Sequence, residues 1–177
     1  MKQWRYLVPI AVFAVLAAVF LVNLRMGRSV PESPMIGQPA PEFSLPSLRD
    51  PSTMVGTHDI ADQFYLLNIW AFWCEVCHYE HPFLLELARS GVPIYGLNWK
   101  DERDEALSLI DTRGDPFVWS AIDEHGVAVI DYGVSGAPET FLIGPDRTIL
   151  AKHTGELTPE SWEAKFVPLI EAHRAGG

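Results

Sequence analysis

Residues 65–77 of this 177-residue chain read YLLNIWAFWCEVC. Positions 65–72 are apolar except for Asn68, and a short apolar run of this kind is typical of a strand covered on both faces of a sheet. Cys74 and Cys77 follow directly and are the only two cysteines in the sequence. The stretch therefore predicts a buried strand that delivers a Cys-x-x-Cys pair to the start of a helix.

The apolar periodicity and turn signals on either side predict strands that alternate with helices. The predicted strands cover 42–48, 65–72, 92–99, 118–121, 139–144 and 148–153, the helices cover 74–89, 101–113 and 126–132, and residues 50–62 read as turns. A last helix is expected to begin at Pro159, with Thr158 as its N-cap, and to bury Phe166, Leu169 and Ile170. This order predicts an α/β domain built on a mixed sheet.

The first 28 residues predict an N-terminal membrane anchor. Residues 6–24 hold no charge, and their length is enough to cross a hydrocarbon layer of ~30 Å. They are not followed by the small-residue pair that a secretory peptidase needs, so we expect the anchor of residues 1–28 to be retained. Residues 29–41 are rich in proline and predict an extended linker. The domain over 42–177 is expected outside the cytoplasm.

The charge of the chain disfavours one class of partner. Beyond the expected anchor there remain nine Lys and Arg against 23 Asp and Glu, a formal charge of −14. Nucleic acid binding depends on clustered Lys and Arg that contact phosphates. We therefore expect no nucleic acid partner.

The spacing of the two cysteines suits exchange of electron pairs between thiols and a disulfide. Cys74 at the first helical position would lie at the positive end of the helix dipole, which favours its thiolate. Cys77 lies one turn further on the same face, within bridging distance. We expect an exposed Cys74 to attack a substrate disulfide and Cys77 to resolve the mixed disulfide. The carboxylate of Glu75 disfavours a second negative charge at Cys74, which predicts a reductant.

A second motif adds a family resemblance. The residues WAFWCEVC at 70–77 and GVSGAPETFLI at 133–143 together resemble the membrane-anchored thioredoxin-like proteins of cytochrome c maturation, the CcmG or DsbE family. The resemblance covers residues 36–172. It implies a thioredoxin-like fold, with a central mixed sheet flanked by helices, in which Cys74 attacks and Cys77 resolves. It implies no organic cofactor, because the cysteines themselves hold the electrons.

The resemblance also implies a setting and partners. The protein would be a single-pass protein of the bacterial inner membrane with its catalytic domain in the periplasm. It would take electrons from a membrane donor of the DsbD or CcdA type. It would then reduce apocytochrome c or another protein of cytochrome c maturation.

The same resemblance implies a cis peptide bond between Ala137 and Pro138, facing the disulfide. A proline at this place removes a backbone donor and leaves neighbouring backbone free to pair with a substrate strand. An ordinary trans proline in a turn is the alternative. Trp73, next to Cys74, is the tryptophan expected to touch substrate.

A proton acceptor for the resolving thiol is not obvious from the strand. Many thioredoxins place a buried Asp where this chain has Asn68, and a neutral amide cannot take a proton from Cys77. Glu80, three residues after Cys77, is the first candidate for this role, and Glu139, next to the proline, is the second. The alternative for Glu80 is an ordinary solvated carboxylate on the helix surface.

Three other chemistries fit parts of the motif. The run from Cys74 to His78 matches the C-x-x-C-H pattern of covalent haem attachment. Cys74, Cys77, His78 and His81 offer ligands for copper delivery, although one regular helix cannot wrap them around a tetrahedral ion, and we expect no metal. Peroxide reduction by a related fold is disfavoured, because that chemistry would place a threonine three residues before the reactive cysteine, and this chain has Ala71 there. Another membrane-anchored thioredoxin-like reductase stays an alternative.

Overall fold

The computed structural model describes residues 4–25 and 33–176. The chain divides into two compact units, residues 1–32 and residues 33–177. In the first unit the described residues form one helix, α1 (Trp4–Arg25). No helix among the described residues combines the length and the apolar character needed to span a membrane. The predicted anchor and linker fall partly outside the described residues, and both stay predictions.

The second unit alternates strands and helices as the sequence predicts. The strands are β1 (Ser44–Pro46), β2 (Met54–Gly56), β3 (Tyr65–Trp70), β4 (Ile94–Trp99), β5 (Ser120–Asp123), β6 (Glu139–Ile143) and β7 (Ile149–Thr154), and the helices are α2 (Glu75–Arg89), α3 (Arg103–Arg113), α4 (Val127–Asp131), α5 (Pro159–Lys165) and α6 (Val167–Gly176). The prediction that residues 50–62 form only turns is wrong. The segment 50–62 is not turns alone, because β2 pairs there with β1 and a 3-10 helix, Thr57–Asp59, follows it.

The strands form a mixed sheet, in agreement with the prediction. Five strands lie in the order β5-β4-β3-β6-β7. The pairs β3–β4 and β4–β5 are parallel, whereas β3–β6 and β6–β7 are antiparallel. The central strand β3 is thus covered by a neighbour on each edge. Because β3 and β4 are parallel, their carboxyl ends meet at one edge of the sheet, and β3 leads there directly to Cys74.

Helices cover both faces of the sheet, because the side chains of β3 alternate between two apolar clusters. Leu66 and Trp70 belong to a cluster with residues of α2 and α3. Leu67 and Ile69 belong to a second cluster, which contains residues of α4 and β2. Asn68 shares the face of Leu66 and Trp70, and so it points toward α2.

The C-terminal helical region differs from the expected single helix. Thr158 caps α5 as predicted, and its Oγ1 accepts a hydrogen bond from the amide of Ser161 at 3.2 Å. The helix then ends at Phe166, and α6 begins after it with Pro168 in its first turn. Pro168 has no amide hydrogen to donate to the carbonyl of Ala164, four residues earlier, and its ring crowds that carbonyl, which accounts for the break. Phe166 is buried as predicted, but Leu169 is 38% exposed and does not belong to the core.

Candidate functional site

The two cysteines form a disulfide at the N-terminus of α2, with 5.3 Å between their Cα atoms. The sequence predicts Cys74 as the first residue of the helix. In the structure Cys74 is instead the N-cap of α2, because its backbone is extended. Its Sγ accepts a hydrogen bond from the amide of Cys77 at 3.2 Å. The sulfur therefore takes the place of the oxygen that usually caps a helix. A thiolate at this position would keep the same donor, which favours ionisation of Cys74.

The expected exposure of Cys74 is not seen in the disulfide form. Cys74 is 5% exposed and Cys77 is 4% exposed, because both pack in the apolar cluster between the sheet and α2. The exposed surface next to them is apolar, since Trp73 is 53% exposed and Val76 is 40% exposed. A substrate that reaches the disulfide therefore meets an apolar rim.

The peptide bond between Ala137 and Pro138 is cis, so the prediction is confirmed and the trans alternative is wrong. The register of β3 and β6 pairs Ile69 with Glu139. The proline therefore lies immediately before the start of β6, at the sheet edge where the chain leads to Cys74. Ala137 packs against the apolar cluster that contains both cysteines.

Glu139 is fully buried, and its carboxylate holds the loop that contains the proline. Its Oε1 accepts hydrogen bonds from the amide and the hydroxyl of Ser135, at 3.1 and 2.6 Å. Its Oε2 lies 2.8 Å from the ammonium of Lys152, which also donates to the carbonyl of Gly133 at 2.7 Å. Two neighbouring charges and three donors therefore fix the loop from Gly133 to Glu139. Both carboxylate oxygens of Glu139 are therefore engaged in holding this loop.

Glu80 is 1% exposed, so the alternative of a solvated helix carboxylate is wrong. Its Oε1 accepts from the side-chain amide of Asn68 at 2.9 Å, and its Oε2 accepts from the backbone amide of Leu157 at 2.9 Å. Both donors are neutral, and burial raises the pKa of Glu80 to about 7. Asn68 also donates to the hydroxyl of Thr140, at 3.0 Å, and so connects β6 to α2. A carboxyl group with a pKa near neutrality thus lies one helical turn from Cys77.

The two histidines after the cysteines are engaged with backbone carbonyls. Nε2 of His78 lies 2.7 Å from the carbonyl oxygen of Phe72, and Nε2 of His81 lies 2.8 Å from that of Gly114. His81 is buried, and desolvation lowers its pKa. Within residues 4–25 and 33–176, no group of three or more His, Cys, Asp or Glu is arranged to hold a metal ion. The two cysteine sulfurs are bonded to each other.

Sequence reasoning missed two residues that contact the segment before the cysteines. The carboxylate of Asp101 accepts hydrogen bonds from the amide of Phe72 and, at 2.8 Å, from the side chain of Asn98. The indole of Trp73 donates to the carbonyl of Lys100 at 3.0 Å. The signal for these residues was available, because Lys100 and Asp101 directly follow the strand predicted next to β3, and Asn98 lies near the end of that strand. Polar residues at the carboxyl ends of neighbouring parallel strands meet at one edge of a sheet.

A groove of about 760 Å³ opens beside Trp73. Most of its charged side chains are acidic, and they come from the turn after β4, from α3 and from the turn after β5. The charged residues that line it are Lys100, Asp101, Glu102, Arg103, Glu105, Asp123 and Glu124. This groove, which we call the acidic groove, is open to solvent and lies next to the exposed indole of Trp73.

Comparisons with known proteins agree with this site. Residues 35–167 match the family model described as Redoxin. The chain is 40% identical to the thiol:disulfide interchange protein DsbE of Allochromatium vinosum over 174 residues, which cover 97% of this chain and 96% of that protein. It is 38% identical to the protein of the same name from Escherichia coli over 180 residues, which cover 98% of this chain and 97% of the relative.

Solved structures agree on the fold. A secreted thiol-disulfide isomerase from Corynebacterium glutamicum aligns with a TM-score of 0.66 at 23% identity, covering 75% of this chain and 85% of that one. A putative DsbE from Chlorobium tepidum aligns with a TM-score of 0.61 at 23% identity, covering 76% and 97%. The fold is therefore thioredoxin-like, as predicted. With a redoxin domain, a Cys-x-x-Cys disulfide and relatives of one name along nearly its whole length, the chain belongs to the DsbE (CcmG) family of thiol:disulfide interchange proteins and is a thiol:disulfide oxidoreductase.

Proposed function

We propose that the protein acts as a reductant in the periplasm and serves c-type cytochrome maturation. The assignment as a reductant rests on the negative charge around Cys74. Glu75 follows Cys74 directly, and the hydroxyl of Tyr79 donates to its carboxylate at 2.8 Å. The acidic groove lies beside the neighbouring Trp73.

Negative charge at this place opposes the cap of α2. The amide of Cys77 and the helix dipole favour a thiolate at Cys74, whereas Glu75 and the acidic groove disfavour it. An oxidoreductase is strongly oxidising when its reduced form is strongly stabilised. Here the stabilisation of the thiolate is offset, and so the dithiol form gives up its electrons readily.

The reaction then proceeds in two exchanges. The thiolate of Cys74 attacks one sulfur of the substrate disulfide, the substrate S–S bond breaks, and one substrate thiolate leaves. The mixed disulfide between Cys74 and substrate is resolved by the sulfur of Cys77. That step forms the Cys74–Cys77 bond and releases the second substrate thiol, so two electrons pass to the substrate.

Glu80 is the group we assign to take the proton of Cys77 in the resolving step. With a pKa of about 7 it is largely ionised slightly above neutrality and protonated slightly below it. A general base works best when its pKa lies near the working pH. Glu139 is the weaker of the two candidates, since the ammonium of Lys152 and the hydroxyl of Ser135 already occupy its oxygens.

The proposed client is apocytochrome c or another protein of the maturation pathway, and the proposed electron donor is a membrane protein of the DsbD or CcdA type. A client segment would pair with the backbone before Pro138 and pass over Trp73. Residues 1–28 would hold the domain at the inner membrane. The similarity to DsbE proteins along nearly the whole chain supports this assignment.

Two measurements test the proposal. Equilibration of the full chain with glutathione gives its reduction potential, which we expect below about −200 mV, and a value near −120 mV, as in DsbA, would contradict the reducing role.

A Cys77→Ser variant expressed in the periplasm should trap clients on Cys74, and mass spectrometry identifies them. Recovery of proteins unrelated to cytochrome c maturation would overturn the assigned pathway and leave the exchange chemistry intact.

A further inference from the structure

We propose that Asp101 is a positioning residue of the redox site: its carboxylate holds the segment from Ala71 to Trp73 in place, and this sets the reduction potential of the cysteine pair. The inference rests on thiol:disulfide exchange at Cys74 and Cys77. It does not depend on which client the protein reduces.

The first observation is that Phe72 is held at both of its polar backbone groups. Its amide donates to Oδ2 of Asp101, and its carbonyl oxygen lies 2.7 Å from Nε2 of His78. The rings of Phe72 and His78 are also in contact, with 5.6 Å between their centroids. One side chain from the turn after β4 and one from α2 therefore fix the residue that lies two positions before Cys74.

The second observation concerns the next residue, Trp73. Its indole Nε1 donates to the carbonyl of Lys100 at 3.0 Å and lies 3.3 Å from that of Trp99. The rings of Trp73 and Trp99 meet edge to face, with 5.8 Å between their centroids. The same turn after β4 thus holds two consecutive residues of the segment that leads to Cys74.

The third observation is that this turn has an unusual backbone and is itself fixed. Lys100 has a φ of 46°, in the left-handed region that residues other than glycine seldom adopt. Such conformations persist where the surroundings determine them, and they cluster at functional sites. Oδ1 of Asp101 accepts from the amide of Glu102 at 3.0 Å, and Oδ2 accepts from the fully buried Asn98 at 2.8 Å. Asp101 therefore joins β4, its own turn and the segment before Cys74.

The expected direction of the effect follows from two causes that agree. A segment held in place keeps the two sulfurs in the geometry of the disulfide, and a loosened segment favours the open dithiol. The negative charge of Asp101 also opposes a thiolate at Cys74, so its removal stabilises the reduced form. Both causes predict that loss of Asp101 makes the pair a weaker reductant.

The test compares two substitutions that remove one negative charge each from the acidic groove. Asp101→Asn changes the residue that holds Phe72, whereas the side chain of Glu105, in the part of the chain that the structure describes, makes no hydrogen bond or ion pair. Each full-chain variant is equilibrated with glutathione: the protein dithiol reduces one glutathione disulfide, and the products are the protein disulfide and two glutathione thiols. For Asp101→Asn we expect the equilibrium constant for oxidation of the dithiol to fall about tenfold, which corresponds to about 30 mV. For Glu105→Gln we expect a change of less than about twofold.

A second variant separates positioning from damage to the fold. Trp73→Phe removes the indole donor to Lys100 but leaves the buried contacts of Asp101 in place, and Trp73 is half exposed, so the fold should tolerate it. We expect a shift in the same direction, together with faster hydrogen exchange of the Phe72 amide in Asp101→Asn. Equilibrium constants for Asp101→Asn and Trp73→Phe within twofold of the parent would overturn the proposal. Should Asp101→Asn fail to fold, Trp73→Phe alone decides.

Discussion

At the scale of single residues, two buried carboxylates near the cysteines have opposite surroundings. Glu80 has neutral donors on both oxygens, and its burial raises its pKa to about 7. Glu139 has an ammonium at 2.8 Å on one oxygen and a hydroxyl at 2.6 Å on the other. Glu80 thus has no countercharge among its hydrogen-bond partners, whereas Glu139 forms a buried ion pair. The different partners agree with a structural role for Glu139 and leave Glu80 as the candidate that we propose for proton transfer.

The first prediction concerns stability against pH. The pKa of Glu80 is about 7 in the folded state and near its ordinary value of 4.5 when unfolded. Between these values the carboxyl group of Glu80 binds more protons in the folded state, so its contribution to the free energy of unfolding should fall as the pH rises from about 4.5 to about 7, by about 3 kcal/mol. Urea unfolding across this range measures the slope.

Two variants on the same helix make this prediction specific. Glu80→Gln should lose the slope, because its side chain has no proton to release. Glu86→Gln, a change at an exposed position of α2, should keep it. Equal slopes in the two variants would assign the pH dependence to another group.

The second prediction concerns the two thiols of the reduced protein. The amide of Cys77 donates to the sulfur of Cys74 and not the reverse, so the thiolate is favoured at Cys74. Alkylation with iodoacetamide at pH 7, followed by peptide mapping, should label Cys74 at least about tenfold faster than Cys77. Preferential labelling of Cys77 would reverse the roles of attacking and resolving thiol.

At the scale of elements, the loop from Gly133 to Glu139 is held as one unit. Lys152 on β7 reaches the carbonyl of Gly133 and the carboxylate of Glu139, and Ser135 closes the loop on the same carboxylate. The cis peptide of Pro138 lies inside this frame. The buried ion pair therefore fixes the segment that we expect to receive a substrate strand.

The third prediction tests this frame. Lys152→Met leaves the carboxylate of Glu139 buried without a countercharge, and removal of one partner of a buried pair costs about 3–5 kcal/mol. We expect this loss in urea unfolding, and the double variant Lys152→Met with Glu139→Gln should recover part of it. Lys165→Met, at an exposed position of α5, serves as the control and should cost little. A cost for Lys152→Met no larger than for Lys165→Met would show that the ion pair does not hold the loop.

The elements differ in how well the sequence predicted them. The run from Tyr65 to Trp70, which is apolar except for Asn68, predicted β3 well, because a strand buried on both faces leaves a strong pattern. The strand β2 was missed, since Met54–Gly56 is three residues long and its pairing with β1 leaves no periodicity to read. Leu169 was misplaced because the periodicity of one helix was extended across a break at Phe166.

At the scale of the whole molecule, the site combines residues that the sequence places far apart. The cysteines and the proline could be predicted, since their motifs are local. The environment of Glu80 could not be predicted, because one of its two hydrogen-bond donors, the amide of Leu157, lies 77 residues further along the chain. Asp101 is an intermediate case, because its contact with Phe72 spans 29 residues but follows from the parallel pairing of β3 and β4, and its place after the predicted strand was a usable signal.

The fourth prediction follows from the charge of the molecule. The chain has a formal net charge of −10, and the acidic groove concentrates negative charge beside Trp73. At low salt a disulfide peptide of charge +2 should be reduced about tenfold faster than one of charge −2. The ratio should approach one at 1 M salt, where charges are screened beyond about 3 Å. A ratio that salt does not change would mean that apolar contacts, and not charge, select the substrate.

The distance along the chain between Glu80 and Leu157 also has a consequence for biosynthesis. A growing polypeptide exposes both thiols long before the amide that completes the pocket around the carboxyl group has been synthesised. Until then the nascent chain bears both cysteines while the carboxyl group of Glu80 lacks one of its two hydrogen-bond donors. We therefore expect the two thiols of a chain arrested before residue 157 to oxidise at a rate different from that of the same thiols in the finished fold.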